Sequence, residues 1–81
     1  PAPSPADDDL RERLRTWRRE RAAADGVPAF VVFADRTLDA LVTARPRTPA
    51  ELLAVPGIGP TKLERYGEAI LAVLWPPDPA A

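Results

Sequence analysis

Residues 53–62 (LAVPGIGPTK) form the most specific local pattern in the chain, with two glycines two residues apart between two apolar segments. Glycine tolerates positive φ angles and lets another chain segment approach the backbone closely. A helix that begins directly after the glycines presents unpaired amides and the positive end of its dipole to solvent. The N–H groups of Gly57, Gly59 and Thr61 can therefore meet an anion, and Lys62 adds a positive charge. These residue types at this spacing are compatible with phosphate binding.

The same ten residues also fit an interpretation without any ligand. A tight turn between two helices needs glycine for its geometry, and Ile58 between the two glycines would then pack in the core. Pro60 has no N–H group, so it contributes shape and no donor. The sequence leaves both interpretations open.

Further cations accompany this pattern. Arg65 follows Lys62 on the outer half of the last predicted helix, and Arg45 and Arg47 flank Pro46 in a loop. Loops and helix starts can present arginine forks to phosphate groups without removing them from water. We expect this half of the chain to carry the phosphate contacts, because the amides of the glycine pattern are there too.

The first predicted helix carries its own row of arginines on the side away from its apolar residues. One interpretation is a stripe that follows a nucleic-acid backbone and releases counterions on binding. The other is a solvated face whose charges pair at three- and four-residue spacing. The row consists of Arg11, Arg15 and Arg18, and Ala22 falls on the same side of the helix. The expected pairs are Asp8–Arg11, Glu12–Arg15 and Asp9–Arg13.

The composition excludes several classes of active site. The chain has no cysteine and no histidine, which removes disulfides, thiolate metal sites, cysteine nucleophiles and the commonest general base. Asp7, Asp8 and Asp9 are consecutive, so on a helix their carboxylates point in different directions and do not converge on one metal ion. We expect no catalytic residue, no metal and no cofactor.

Length and charge are typical of a small binding module. The 81 residues suffice for one domain. No apolar run approaches the roughly 20 residues that span a membrane, and no signal-peptide pattern opens the chain, so we expect a cytoplasmic protein without membrane contact. The formal charge is −1, yet residues 10–75 hold all 11 basic side chains and 8 of the 12 acidic ones, a net charge of +3. A net charge of this size on residues 10–75 attracts phosphate weakly.

Hydrophobic periodicity and helix punctuation predict an all-α fold, a bundle of about five short helices with a helix-hairpin-helix-like turn at 56–60. The domain is expected to span residues 7–75, between flexible linker stubs at 1–6 and 76–81. The predicted helices are 7–25, a short one with Pro28 at its first position, one capped by Asp35 and ending near Ala44, a short one capped by Thr48, and one from Pro60 to Pro76-Pro77.

The expected core combines the apolar faces of these helices. The first face contains Leu10, Leu14, Trp17 and Ala24, the third Leu38, Leu41 and Val42, and the last Leu63, Tyr66, Ile70, Val73 and Leu74. Arg21 falls in the middle of the first face. It either extends its guanidinium into water along the core edge, which we expect, or pairs with a carboxylate.

Aromatic residues are few, and most are expected inside. Trp17 and Tyr66 fall on apolar faces, with the tyrosine hydroxyl reaching the surface. Phe30 and Phe33 are three residues apart in the short second helix, so both are expected to face inward. The position of Trp75, at the end of the last helix, does not follow from the sequence.

With its flanks, the glycine pattern resembles the HRDC family, named for helicase and RNase D C-terminal regions. The resemblance covers roughly residues 10–75, and its most specific parts are VP-x-aromatic-VVF-x-D and PGIGP-x-K. Its elements, in the family's order and spacing, are Leu14-Arg15-x-Trp17-Arg18, residues 26–35 with Leu38, Arg45-Pro46, Glu51-Leu52-Leu53, residues 56–62 and Tyr66-Gly67. Arg21 departs from the family pattern, which usually has an apolar residue there. Leu63 also departs, since a typical helix-hairpin-helix has a small residue.

The resemblance implies a five-helix accessory domain of the SAM-like, orthogonal type, without catalytic activity, attached to RecQ-like or UvrD-like DNA helicases or to RNase D-type exonucleases. Such domains help to place the enzyme on single-stranded or structured nucleic acid, often weakly, and some serve mainly protein contacts. In the family, an aromatic at the position of Phe30 can be exposed and stack on a base. The alanine-, arginine- and proline-rich composition indicates a GC-rich bacterial source, in which a helicase parent is expected.

We therefore expect a monomeric accessory domain of a bacterial DNA helicase that binds single-stranded or junction DNA weakly through phosphate contacts. The candidate contact residues are Gly57, Gly59, Thr61, Lys62, Arg65, Arg45, Arg47 and, as a stacking surface, Phe30. The alternative is a docking module that binds its own helicase core in cis, or another protein, and hardly touches DNA. The near-neutral overall charge favours this alternative.

Overall fold

Five helices lie within residues 5–76, the part of the chain that the computed structural model describes. They are α1 (Pro5–Asp25), α2 (Ala29–Val32), α3 (Asp35–Ala44), α4 (Pro49–Leu53) and α5 (Pro60–Leu74). No strand occurs among these residues, and the all-α prediction is confirmed. α1 begins two residues earlier than predicted, since a proline is compatible with the first turn of a helix. Of the predicted linker stubs, residues 1–4 and 77–81 lie outside the described part.

α1 and α5 pack side by side in antiparallel directions. Tyr66 in the first half of α5 contacts Trp17 and Asp25 in the second half of α1. Further along, Thr16 of α1 and Val73 of α5 line one groove. The buried hydrophobic core takes residues from all five helices and from the turns after α2 and α4: Leu10, Leu14, Ala22, Val32, Phe33, Leu38, Leu41, Val42, Leu52, Val55, Ile58, Tyr66, Ile70 and Leu74.

The buried face of α1 is rotated from the predicted one. Ala22, predicted on the solvent side, is 4% exposed, whereas Ala24, predicted in the core, is exposed. The rotation arises because α1 packs on α2 and α3 as well as on α5. Arg11 and Arg18 lie on the α2–α3 side and made that face look polar, although their long stems cover apolar surface there.

Only one of the two phenylalanines of the second segment is in the core. Phe33 is fully buried and stacks on Trp17 with ring centroids 6.1 Å apart, but Phe30 is 63% exposed. The prediction that Phe30 faces inward is wrong. α2 ends at Val32, and Phe33 has an extended backbone with φ −165° and ψ 155°. The helical three-residue spacing therefore does not relate the two rings.

Capping residues fix the ends of α3 and α4. The N-cap of α3 is Ala34, with no side-chain cap, so the predicted capping role of Asp35 is wrong; Asp35 is the first helical residue instead. At α4 the Thr48 Oγ1 accepts a hydrogen bond from the Glu51 N–H at 3.1 Å, as predicted. The Glu51 carboxylate accepts from the Arg47 N–H at 2.7 Å, which completes a box one residue wider than usual.

Candidate functional site

The turn between α4 and α5 requires one of its two glycines. Gly57 has φ +92°, and a Cβ atom on it would overlap Thr37 Oγ1 and come within 3.2 Å of Thr37 Cβ. Thr37 is buried and donates a hydrogen bond to the Pro56 carbonyl at 2.9 Å, so it has little room to move. Gly59 has φ −95°, and a Cβ there would meet nothing within 4 Å. Ile58 between them is buried, in agreement with the packing interpretation.

The amino-terminal end of α5 is open to solvent. Its first backbone hydrogen bond runs from the Leu63 N–H to the Gly59 carbonyl at 2.9 Å, so the N–H groups of Thr61 and Lys62 precede the first helical donor. Thr61 is exposed, and Gly59 and Lys62 are half-buried. Gly57, Gly59, Thr61 and Lys62, called the hairpin end below, thus combine a cation with amides that have no hydrogen-bond partner among residues 5–76.

The charged groups around the hairpin end differ in their partners. Lys62 forms no ion pair with any residue of the described range 5–76, whereas Arg65, three residues on, lies 3.7 Å from the Asp25 carboxylate. Lys62 and Arg65 are neighbours on the surface of α5, because residues three apart in a helix lie side by side.

Arg36 is a further cation beside this turn. A depression of about 390 Å³ joins the start of α3 to the turn and is lined by Ala34, Asp35, Arg36, Thr37, Pro56 and Gly57. Arg36 is exposed and makes no ion pair within the described chain. Arg36 and Gly57 line the same depression although they are 21 positions apart, and no local sequence signal indicates this arrangement.

Arg45 and Arg47 lie at the other end of α5. The Arg45 guanidinium contacts the Asp7 carboxylate at 2.5 Å, and Arg47 lies over the Trp75 ring, 4.3 Å from its centroid. The indole N–H of Trp75 donates to the Pro46 carbonyl at 2.7 Å. Arg45, Pro46, Arg47 and Trp75 form what is called the tryptophan end. It is about 20 Å from Lys62 along the helix axis, so the candidate residues do not form one patch.

Phe30 belongs to the same end of the molecule as the hairpin. It follows Asp25, the last residue of α1, by five positions, and Asp25 contacts Arg65 and Tyr66 in the first half of α5. Val31 beside it is 44% exposed, so α2 presents a small apolar surface. An exposed phenylalanine ring is suited to stack on a base.

The arginine row of α1 is not an exposed stripe. Arg11 pairs with Asp39, and Arg18, whose side chain is 12% exposed, donates to the Phe33 carbonyl at 3.0 Å and pairs with Asp35. These contacts attach α1 to α2 and α3. Of the three predicted pairs, Glu12–Arg15 and Asp9–Arg13 are present at 3.0 and 3.3 Å, while Arg11 has Asp39 in place of Asp8.

Arg21 takes both of the arrangements considered for it. Its side chain is 42% exposed, its Nε lies 3.3 Å from the Asp25 carboxylate, and its guanidinium lies over the Tyr66 ring. Tyr66 is in the core, as predicted, and its hydroxyl donates to Asp25 at 3.3 Å.

Neither a membrane span nor a metal site has a candidate among the described residues. No helix among them is long and apolar enough to cross a membrane. Within the same range, no group of histidine, cysteine, aspartate and glutamate side chains is arranged to hold a metal ion.

Comparison with known proteins identifies similar domains. The HRDC domain family model matches residues 7–74. ATP-dependent DNA helicase UvrD2 of Mycobacterium tuberculosis is 44% identical over 68 residues, and ATP-dependent DNA helicase RecQ of Bacillus subtilis is 47% identical over 64. These alignments cover 84% and 79% of this chain but 10% and 11% of the two relatives, so the chain spans about a tenth of their length. A solved structure, D. radiodurans RecQ HRDC domain 3, matches with a TM-score of 0.81 at 50% identity, over 84% of this chain and 90% of that one.

Proposed function

This chain belongs to the HRDC domain family, and from that premise we propose that it is a non-catalytic accessory domain that binds single-stranded or junction DNA weakly through the phosphate backbone. The parent protein is proposed to be a bacterial ATP-dependent DNA helicase of the RecQ or UvrD kind. In that protein the domain would act as a monomeric unit in the cytoplasm, in cis to the helicase core.

The observation that carries this proposal is the open hairpin end. The amides of Thr61 and Lys62 and the ammonium group of Lys62 meet solvent at the positive end of the α5 dipole, without a carboxylate partner for the lysine in residues 5–76. A phosphate oxygen is the anion that such donors recognise. Because none of these groups reads a base edge, the binding is expected to be independent of sequence.

Phe30 and three arginines extend the proposed surface to different degrees. Phe30 would stack on a base of a single strand whose phosphates lie at the hairpin end. Arg65 adds a charge next to Lys62. Arg45 and Arg47 are proposed to contribute less, because the carboxylate of Asp7 and the ring of Trp75 already occupy them.

The test is a fluorescence-anisotropy titration of a labelled oligo-dT at about 20 mM and about 150 mM salt, where phosphate contacts give a steep salt dependence. Lys62→Ala is expected to weaken binding about three- to tenfold at low salt and to flatten the log–log salt slope by about 0.7. Arg19→Ala is the matched control, since Arg19 is exposed, unpaired within the described residues and on the solvent side of α1. Equal effects of the two variants would remove the hairpin end from the site.

Phe30→Ala tests the stacking part separately. We expect about tenfold weaker binding of oligo-dT, equivalent to about 1.4 kcal/mol, with little change in stability because the ring is 63% exposed. Val31→Ala, which trims the neighbouring exposed side chain without removing a ring, is expected to leave the affinity unchanged. An unaffected Phe30→Ala would restrict the site to the phosphate contacts.

A second candidate function, protein docking, is favoured by one observation. A groove of about 420 Å³ between α1 and α5 is lined mainly by apolar surface, with Trp17, Val73 and Pro76 among its residues. If the wild-type chain shows no saturable DNA binding at about 20 mM salt, docking through this groove becomes the leading function.

A further inference from the structure

Asp25 lies at the centre of a cluster with Tyr66, Arg21 and Arg65. Of these residues, only Arg65 belongs to the DNA-binding surface proposed above. A single oxygen of its carboxylate, Oδ2, lies 3.3 Å from the Tyr66 hydroxyl, 3.3 Å from Arg21 Nε and 3.7 Å from a terminal nitrogen of Arg65. Charge-assisted hydrogen bonds are usually 2.7–2.9 Å long. One oxygen thus lies near three donors, but among residues 5–76 only the Tyr66 hydroxyl forms a hydrogen bond with it.

The position of Asp25 in its helix is unfavourable for a carboxylate. It is the last residue of α1, where the free carbonyl groups and the negative end of the helix dipole repel an anion and attract a cation. Arg21, one turn earlier, is well placed near the same end without Asp25. The acid therefore depends on the two arginines, whereas the arginines do not depend on the acid.

The two guanidinium groups keep unused donors. Each carries five N–H groups. Arg21 Nε is buried and has no hydrogen-bond partner among the described residues, and the Arg65 contact is longer than a hydrogen bond. Arg21 Nε itself is closed to solvent, but the two side chains are 42% and 56% exposed as a whole, so an acceptor from solution can approach their exposed parts.

The Tyr66 ring holds the two groups in place. Both guanidinium carbons lie over it, at 5.4 Å for Arg21 and 5.2 Å for Arg65 from the ring centroid. Tyr66 is itself buried and packs edge-on against Trp17 at 5.9 Å. The buried ring contacts both cations, and both also approach the same oxygen of Asp25, so the two guanidinium groups are held near each other.

We propose that Arg21 and Arg65 form a phosphate-binding pair on the Tyr66 ring, and that Asp25 is a resident carboxylate which competes with the DNA phosphate for it. This inference rests on the proposed DNA binding and deepens it, because Lys62 is the helical neighbour of Arg65 and the pair continues the hairpin end towards α1. The two non-bridging oxygens of a phosphodiester satisfy donors that one carboxylate oxygen contacts only loosely. Arg21, which departs from the family pattern, then belongs to the binding surface.

The direct test is Asp25→Asn in the full 81-residue chain, with the oligo-dT titration at several salt concentrations. Removing the carboxylate charge is expected to tighten binding about three- to tenfold and to steepen the log–log salt slope by about 0.7, the contribution of one more phosphate contact. Adding Arg21→Gln to this variant is expected to abolish most of the gain.

The matched control is Glu12→Gln. It makes the same change of charge and also frees one arginine, because Glu12 pairs with Arg15 on another face of α1. Its effect on affinity is expected to stay below about twofold, since general electrostatics acts through distance and is screened. A gain equal to that of Asp25→Asn would overturn the phosphate pair in favour of net charge alone.

Arg21→Gln in the otherwise unchanged chain covers the case in which Asp25→Asn does not fold. It is expected to weaken binding at least about threefold while the melting temperature changes little, since the side chain is partly exposed. Binding that Lys62→Ala weakens but that Arg21→Gln and Asp25→Asn leave unchanged would overturn this inference and leave the proposed function standing. Absence of saturable binding by the wild-type chain and by Asp25→Asn would overturn both.

Discussion

The two ends of α5 carry similar side chains in different circumstances. At the hairpin end, Lys62 has no carboxylate partner in the described chain, and the helix start meets solvent. At the tryptophan end, Arg45 is paired with Asp7 and Arg47 lies over Trp75. The sequence places all three cations among the candidate phosphate contacts, with Lys62 ahead of Arg45 and Arg47. How closely a partner holds a cation, more than the presence of the cation near a loop, decides whether it is available to a ligand: Arg45 lies 2.5 Å from Asp7, whereas Arg65 lies 3.7 Å from Asp25.

The ends also differ in what makes them rigid. The hairpin end depends on backbone geometry, because Gly57 adopts a positive φ and its missing Cβ leaves room for Thr37. The tryptophan end depends on side chains, through the hydrogen bond from the Trp75 indole to the Pro46 carbonyl and the stacked Arg47. Substitutions at the two ends should therefore change stability and DNA affinity in different ways.

The largest effect is expected from Gly57→Ala. A side chain there forces a left-handed residue and a collision with the hydrogen-bonded Thr37, so we expect the free energy of unfolding to fall by about 2–4 kcal/mol. Urea denaturation measures it. Gly59→Ala is the matched control and should change the free energy by less than about 1 kcal/mol, since a Cβ meets nothing there. Similar losses from the two variants would contradict the different roles given to the two glycines.

Trp75→Ala should be next in size and should affect stability alone. It removes a hydrogen bond to Pro46 and the cation–π contact with Arg47, a loss of about 1–3 kcal/mol that lowers the melting temperature by several degrees. Oligo-dT affinity at a temperature where the variant is folded should match the wild type. A clear loss of affinity in the folded variant would move the tryptophan end into the binding surface.

Arg47→Ala gives the smallest expected effect and the sharpest comparison. It removes one positive charge, as Lys62→Ala does, but from the side chain already stacked on Trp75. We expect a change in oligo-dT affinity of less than about twofold and a nearly unchanged salt slope. An effect as large as that of Lys62→Ala would show that the two ends bind one strand together.

Much of the fold could be predicted because its signals are local. Thr48 with Pro49 marks the start of α4, Pro60 marks the start of α5, and the break at Pro46 follows α3 closely. Each of these signals acts through the backbone of the residues next to it, so tertiary contacts hardly change it.

The features that could not be predicted depend on contacts between distant residues. The buried face of α1 depends on the packing of α1 against α2 and α3. Ala22 is buried there, on a side that looks polar in the sequence because its arginines contact α3 and the Phe33 carbonyl. The exposure of Phe30 followed from the end of a four-residue helix. For the candidate site, the open helix start with Lys62 agreed with the sequence pattern, but the separation of Arg45 and Arg47 from it depends on contacts 38 and 29 positions apart.

Those two long-range contacts have a consequence for the order of folding. Closing a long loop has a larger entropic cost than closing a short one, so contacts between sequence neighbours tend to form first. The α4–α5 turn joins residues close in the chain, while Arg45–Asp7 and Trp75–Pro46 connect remote segments. During refolding we expect amides of α4 and α5 to gain protection from hydrogen exchange before those at the start of α1. The hairpin end would then be assembled before the tryptophan end closes.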